Sequence, residues 1–206
     1  MLYDLSPPIS PALAVWPGDT PPSREVLQEL TRGDAVDLST LRATVHLGSH
    51  ADAPSHFARG EKSIAECPLD TYLGPCQVIR VPAQQGGLVT PSDLRVAVTA
   101  PRVLLATGTY PDPSRFNRDF AALHPDLIDA LAASGVRLIG VDTPSVDPAD
   151  SKSLTAHHRC LSRGIAILEG LVLDQVPEGI YELVALPLRL EGFDASPVRA
   201  VLRSSR

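Results

Sequence analysis

Along the chain, hydrophobic positions gather into short runs rather than long amphipathic stretches. Arg102–Thr107 (RVLLAT), Val136–Asp142 (VRLIGVD), Ile165–Leu168 (IAIL) and Tyr181–Leu188 (YELVALPL) are too short and too continuously apolar for surface helices, and they predict mostly buried β-strands. Thr40–His50 alternates more loosely and predicts an extended segment running on to Asp52. One stretch has the marks of a helix at both ends. His124–Ser134 places Pro125 at its start, acids in its first turns, Leu127, Leu131 and Ser134 at helical spacing, and Gly135 just past its end. Pro91–Val98 and Thr155–Leu161 are predicted as shorter helices. Strands alternating with a few helices imply an α/β or α+β domain, and the pattern does not give the strand order.

Composition narrows this picture. The 206 residues are about 1.4 times the ~150-residue domain prior, and the 20 prolines and 14 glycines are spread along the chain without forming a linker or a repeat. A single domain spanning residues 1–206 is therefore expected. With 44% hydrophobic and 20% charged residues the chain is neither disordered nor collagen-like. A net charge of −6, from 18 basic and 24 acidic residues, gives no basic stripe for nucleic acid. The first ten residues lack a basic and an apolar leader region, and no run approaches the ~18 consecutive apolar residues of a membrane span. Cys67, Cys76 and Cys160 are odd in number and form no C-x-x-C pair, so free thiols in a reducing cytoplasm are expected.

The candidate chemistry lies in the histidines. Of six, three fall within eleven residues: His46-Leu-Gly-Ser-His50-Ala-Asp52-Ala-Pro-Ser-His56. In an extended chain the even-numbered residues share a face, and Gly48 leaves room there for an ion. A single histidine on a strand is ordinarily an exposed or hydrogen-bonded core residue. Two imidazoles and a carboxylate together suit Zn²⁺ or Mn²⁺ with positions left open for water. Downstream, Glu169 directly follows the apolar run Ile165–Leu168 and lies twelve residues beyond His157. It is either a solvent-facing strand end or a buried carboxylate that needs a cation. G-x-S-x-G, Walker, G-x-G-x-x-G and H-E-x-x-H motifs are absent, and nothing marks Cys160 near His157 as an activated thiol.

His46-x-Gly48-Ser49-His50-x-Asp52-x-Pro54-x-His56 resembles the H-x-G-T-H-x-D-x-P-x-H signature of the metal-dependent cyclase family, with serine where the family usually has threonine. Within that family the chain is most similar to the bacterial kynurenine formamidases (arylformamidases). The likeness extends to Trp16–Pro21, to Asp142–Pro148, and to Ala156-His157-His158 followed by Ala166–Gly170. The resemblance implies a swivelling β/β/α fold with a mixed sheet and a homodimer. It implies two divalent ions, zinc with manganese as the alternative. His46, His50 and Asp52 would hold one ion, with Asp52 reaching the second. His157 would hold the second ion, and Glu169 would be shared; the adjacent His158 leaves that histidine assignment open. His56 would be the catalytic acid/base, and Trp16 would pack on the substrate, although Trp16 serves equally as a core or dimer residue. The implied reaction is hydrolysis of an aryl formamide, N-formyl-L-kynurenine, to L-kynurenine and formate by a metal-activated water.

Three other readings use the same residues. A sister hydrolase would open a cyclic amide such as isatin. A non-catalytic metal-binding protein would have no need of His56 beside open coordination positions. A metal-free structural domain would bind no ion at all.

Overall fold

The computed structural model describes residues 1–204. Its elements are β1 (Leu2–Asp4), β2 (Ser23–Gln28), β3 (Leu38–Arg42), β4 (His50–Asp52), β5 (Leu73–Arg80), β6 (Leu88–Val89), β7 (Arg102–Ala106) and β8 (Ala122–Leu123). There follow α1 (Pro125–Ala133), β9 (Leu138–Val141), α2 (Thr155–Ser162), β10 (Ala166–Glu169), β11 (Gly179–Val184), β12 (Ala195–Pro197) and β13 (Val201–Ser204). Nine strands form one mixed sheet in the order β1-β13-β11-β5-β7-β9-β10-β4-β12. Its middle, β5-β7-β9-β10, is parallel, and the flanks are antiparallel. This is the α/β architecture with a mixed sheet that the resemblance implies.

Side-chain alternation sorts the core into two layers. Val103, Leu105, Ile139, Val141 and Ile167 face the helices, where Leu127, Ile128 and Leu131 of α1 and Ala156 and Cys160 of α2 close over them. Leu104, Leu138 and Leu168 face the opposite layer with Val78, Leu183 and Leu202. Ala51 and Ala53 also belong to that second layer, so His50 and Asp52, which alternate with them, are sent to the helix side. The site follows from this parity.

The strands foreseen at Arg102–Thr107, Val136–Asp142 and Ile165–Leu168 are present as β7, β9 and β10, and the helix at His124–Ser134 is α1. His124 caps it, its Nδ1 accepting the Asp126 N–H at 3.1 Å. Thr155–Leu161 is α2. Three expectations fail. Pro91–Val98 is not a helix: only Pro91–Asp93 forms a short turn, and Gln77 satisfies the backbone beyond it, donating to the Ala97 carbonyl and accepting from Thr99 N–H. Tyr181–Leu188 stops as a strand at Val184, ahead of Pro187. Thr40–Asp52 is not one extended run, because the chain bends between β3 and β4. β5 (LGPCQVIR) has no counterpart among the expected strands because Gly74 and Pro75 interrupt its pattern. No helix among the described residues is long and apolar enough to cross a membrane.

Candidate metal centre

β4 supplies the floor of the site. It pairs antiparallel with β10, and Glu169 lies directly opposite His50 while Ile167 lies opposite Asp52. His50, Asp52 and Glu169 therefore share the helix-side face, each about 4% exposed. His46 does not reach them along a strand, as the even-number argument expected. It sits on the bend before β4, and Gly48 makes that bend with φ +54°. The space beside Gly48 is not an ion pocket: a β-carbon there would meet Pro7 at 3.1 Å and Leu13 at 3.3 Å. Gly170 closes the arrangement. With φ +65°, its α-carbon approaches so near the Gly48 carbonyl that a β-carbon would lie 2.3 Å from the oxygen. The Ser49 hydroxyl lies 2.8 Å from the Gly170 carbonyl and 3.0 Å from that of Leu5, so serine supplies the hydroxyl that ties this bend to β10.

His157 arrives from α2. Asp147 accepts the Ala156 and His157 backbone N–H groups at 3.0 Å each, filling the open donors of the first helical turn. The same carboxylate accepts Nδ1–H of His157 at 2.7 Å. Leu154, which precedes the helix, is held at φ +45° and turns the chain into it. His157 is buried with Phe57 against its ring, whereas His158 faces outward. The orientation of α2 thus turns His157, and not the adjacent His158, toward Asp52 and Glu169.

Each of the three imidazoles is anchored through one nitrogen and presents the other to the carboxylates. His50 Nδ1–H donates to the Gly48 carbonyl at 2.9 Å, His46 Nε2–H to Asp194 at 3.0 Å, and His157 Nδ1–H to Asp147. The remaining nitrogens surround Asp52. His46 Nδ1 and His50 Nε2 lie 3.1 and 3.5 Å from its Oδ1, and His157 Nε2 lies 3.3 Å from its Oδ2. Glu169 repeats the division, with Oε2 at 3.5 Å from His50 and Oε1 at 3.5 Å from His157. Val146 N–H also donates to Oε1 at 2.8 Å. None of the nitrogen–oxygen approaches around Asp52 is aligned as a hydrogen bond, and His50 Nε2, Asp52 Oδ1 and Asp52 Oδ2 are buried without a partner.

In neutral rings these nitrogens carry lone pairs, which face the oxygen lone pairs of two buried carboxylates. Such a face-off needs positive charge between the groups. Protons supply it in the absence of an ion. Burial acts to lower the His46 and His157 values, but the surrounding carboxylates outweigh it and lift them to about 9 and about 10. Burial likewise works against Asp52 ionising, yet His157 and His46 hold its carboxyl well below the usual range. A divalent cation would replace those protons with one charge shared by all the donors. The donor set of imidazoles and carboxylates fits a borderline ion such as Zn²⁺ or Mn²⁺. Among the described residues, two sets each bring their ligand atoms within 4.8 Å of one another: His50, Asp52 and Glu169, and His46, Asp52 and His56.

His56 stands at the mouth on a short turn, Pro54–His56, with its side chain 35% exposed. Its Nδ1 is 3.4 Å from Asp194 Oδ2, the oxygen that also takes the His46 hydrogen bond. Asp194 was not found in the sequence: a lone acid after Phe193, nearly 150 residues from His46, carries no local signal. Asp147 lies within the Asp142–Pro148 segment, and its bond to His157, ten residues on, carries no local signal either. Cys160 is buried among apolar side chains, and burial pushes its thiol further up, away from a nucleophilic thiolate.

A cavity of about 810 Å³ opens above these donors. Trp16, Tyr110 and Phe116 line it, with Trp16 packed edge-on to Phe116 at 5.1 Å between ring centroids. Asp142 also lines it; Thr107 and Gly108 bind its oxygens, but burial dominates and raises its carboxyl.

Known structures share this fold. A potential metal-dependent hydrolase with cyclase activity is 29% identical with a TM-score of 0.86, over 100% of this chain and 99% of the other. A predicted metal-dependent hydrolase from Bacillus stearothermophilus is 30% identical with a TM-score of 0.81, over 98% and 97% of the two chains. Isatin hydrolase A from Labrenzia aggregata is similar in fold, with a TM-score of 0.80 at 24% identity, covering 98% of this chain and 93% of the other. Residues 3–148, which include His46, His50 and His56, match the sequence model of the Cyclase family, and the chain belongs to that family.

Proposed function

We propose that this protein is a metal-dependent amide hydrolase that cleaves an aryl formamide, N-formyl-L-kynurenine, to L-kynurenine and formate. The observation that carries the metal requirement is the trio of buried, partnerless atoms, His50 Nε2 and both oxygens of Asp52, facing further imidazole and carboxylate donors. The two oxygens of Asp52 divide the donors, with His46 and His50 on one side and His157 on the other, and Glu169 spans both. That division is the basis for assigning two divalent ions, zinc or manganese. When bound, such ions lower the pKa of coordinated water from 15.7 to about 7 and polarise a carbonyl oxygen.

The chain's own residues do the rest. His56 Nδ1 faces Asp194, so Nε2 is the nitrogen left to take a proton from water and pass it to the departing aniline nitrogen. Asp194, held by its hydrogen bond with His46 and 3.4 Å from His56 Nδ1, would orient the ring that performs this transfer. Trp16, Tyr110 and Phe116 offer aromatic faces for the aryl ring. The formyl carbon is small enough to approach donors this crowded.

A second reading, the opening of a cyclic aryl amide, draws on the fold likeness to isatin hydrolases, one of which is bound to a product analogue, thioisatinate. Both substrates present an aryl amide to the same donors. Initial rates with N-formylkynurenine and with isatin, each against a buffer blank, distinguish them. Turnover of the formamide with none of isatin supports the first reading. The reverse supports the second, and no turnover of either after metal loading removes both.

A further inference from the structure

The cavity above the metal donors extends along the carboxyl ends of the parallel strands, where open α/β sheets bind their ligands. Strand register sets two opposite charges there. Arg80 closes β5 opposite Ala106 of β7, and Asp142 follows Val141 of β9, which lies opposite Leu105. Arg80 and Asp142 therefore share one row of the sheet, two strands or about 10 Å apart, with the small Ala106 between them. Among the described residues, Arg80 is the only arginine or lysine in the cavity wall. Asp142 is the only buried acid there besides Glu169, since Asp19 and Asp174 stand in solvent and Asp194 is half-buried at the mouth.

Neutral donors alone hold Asp142. Thr107 N–H and its hydroxyl bind Oδ1 at 3.1 and 2.6 Å, and Gly108 N–H binds Oδ2 at 2.8 Å. Gly108, at φ +66°, has open space where a β-carbon would stand, so no side chain at that position screens Oδ2 from the cavity. Burial raises this carboxyl, the direction expected of an acid given hydrogen bonds but no cation. Arg80 is anchored through one nitrogen, its Nη2 donating to the Leu173, Asp174 and Val176 carbonyls at 3.2, 2.9 and 2.8 Å. Its Nε and Nη1 have no acceptor among the described residues. A guanidinium fixed in this way has donors to spare for a carboxylate.

The metal donors and the aromatic wall account for an aryl formamide and leave these two charges without a role. N-formyl-L-kynurenine also carries an α-amino acid head, with one ammonium and one carboxylate. We propose that Asp142 receives the ammonium and Arg80 the carboxylate of this head, so that the pair selects aryl formamides bearing a free amino acid. The inference rests on the formamidase reading and adds the part of the substrate that lies away from the reacting bond. A cyclic aryl amide such as isatin has neither charge and would leave both residues unserved.

Equilibrium titration of metal-loaded protein with the product and two truncated analogues tests this without turnover. The probes are L-kynurenine, kynuramine (which lacks the carboxylate) and 4-(2-aminophenyl)-4-oxobutanoic acid (which lacks the ammonium). L-kynurenine should bind the native protein at least about tenfold more tightly than either analogue. Arg80→Gln should weaken L-kynurenine and the deaminated acid about tenfold and spare kynuramine. Asp142→Asn should weaken L-kynurenine and kynuramine by about 10–100-fold and spare the deaminated acid. A residue that only maintained the shape of the cavity would weaken all three probes alike. Should Asp142→Asn misfold, the Arg80→Gln pattern decides, with Arg80→Lys restoring part of the binding of both acids.

Equal binding of the three probes to native protein, binding of none, or a uniform loss in Arg80→Gln would overturn the proposal. Initial rates with N-formyl-L-kynurenine separate it from the reading on which it rests. Selective binding without hydrolysis would remove the formamidase reading and leave the head-binding pair. Hydrolysis without selective binding would remove the pair alone.

Discussion

The inner and outer donors of the site are built differently. His50, Asp52, Glu169 and His157 stand on regular elements inside the core, fixed by strand register and by the Asp147 clamp on α2. His46, His56 and Asp194 stand on a bend, a short turn and a loop at the mouth, tied to one another through one carboxylate oxygen. The inner group is set up to confine charge. The outer group reaches solvent and shares an oxygen that selects which ring nitrogen is free. This difference separates the core donors, which should hold an ion, from His56 and Asp194 at the mouth, which should serve the proton, with His46 linking the two through Nδ1 on the Asp52 side and Nε2 on Asp194.

Removal of Asp52 should have the largest effect. Asp52→Ala takes away the carboxylate that faces all three imidazoles, and both metal content and hydrolysis should vanish; retained metal would break the inner assignment. His56→Ala should leave the metal in place while kcat falls by about 10²–10⁴, the range for loss of a general acid–base. Metal analysis alongside steady-state rates makes that distinction. Gly170→Ala should cost about 2–5 kcal/mol of stability, because it combines a left-handed backbone with collision against a backbone oxygen. Denaturant unfolding measures this, and a neutral result would mean that the two bends do not need their close approach.

Asp194→Asn sharpens the outer half. It should lower kcat by about 10–100-fold with metal retained, as expected for a partner that only orients a functional imidazole. The smallest effect concerns pH. His46 and His157 are raised from 6.5 to about 9 and about 10, so their contribution to the stability of chelated protein is complete below 6.5 and is lost as pH climbs through those values. Thermal melts of chelated protein should therefore shift downward between pH 7 and pH 10, and metal-loaded protein should shift less. Parallel curves would argue against ions occupying these donors.

The inner group was legible because its donors sit where local patterns speak. His50 and Asp52 are two apart on a strand, and Glu169 ends an apolar run that could hide a carboxylate only beside positive charge. The fold brings these three side chains together, while a bend and not strand parity brings in His46. Which of His157 and His158 faces the carboxylates depends on the rotation of α2 about its axis, which the sequence does not give. Asp147 and Asp194 act across ten and nearly 150 residues, distances at which a single sequence carries no pairing signal. The fold was readable where strands were continuous apolar runs. It failed at β5, where Gly74 and Pro75 interrupt the run, and at the β2–β3 ribbon, whose exposed leucines alternate with charges as a surface loop would.

The most direct test of the central claim is elemental analysis of native, Asp52→Ala and His56→Ala proteins after dialysis against metal-free buffer. Native and His56→Ala proteins should retain divalent metal in equal amounts while Asp52→Ala retains none. Equal retention by all three, or none in the native protein even after loading, would contradict it.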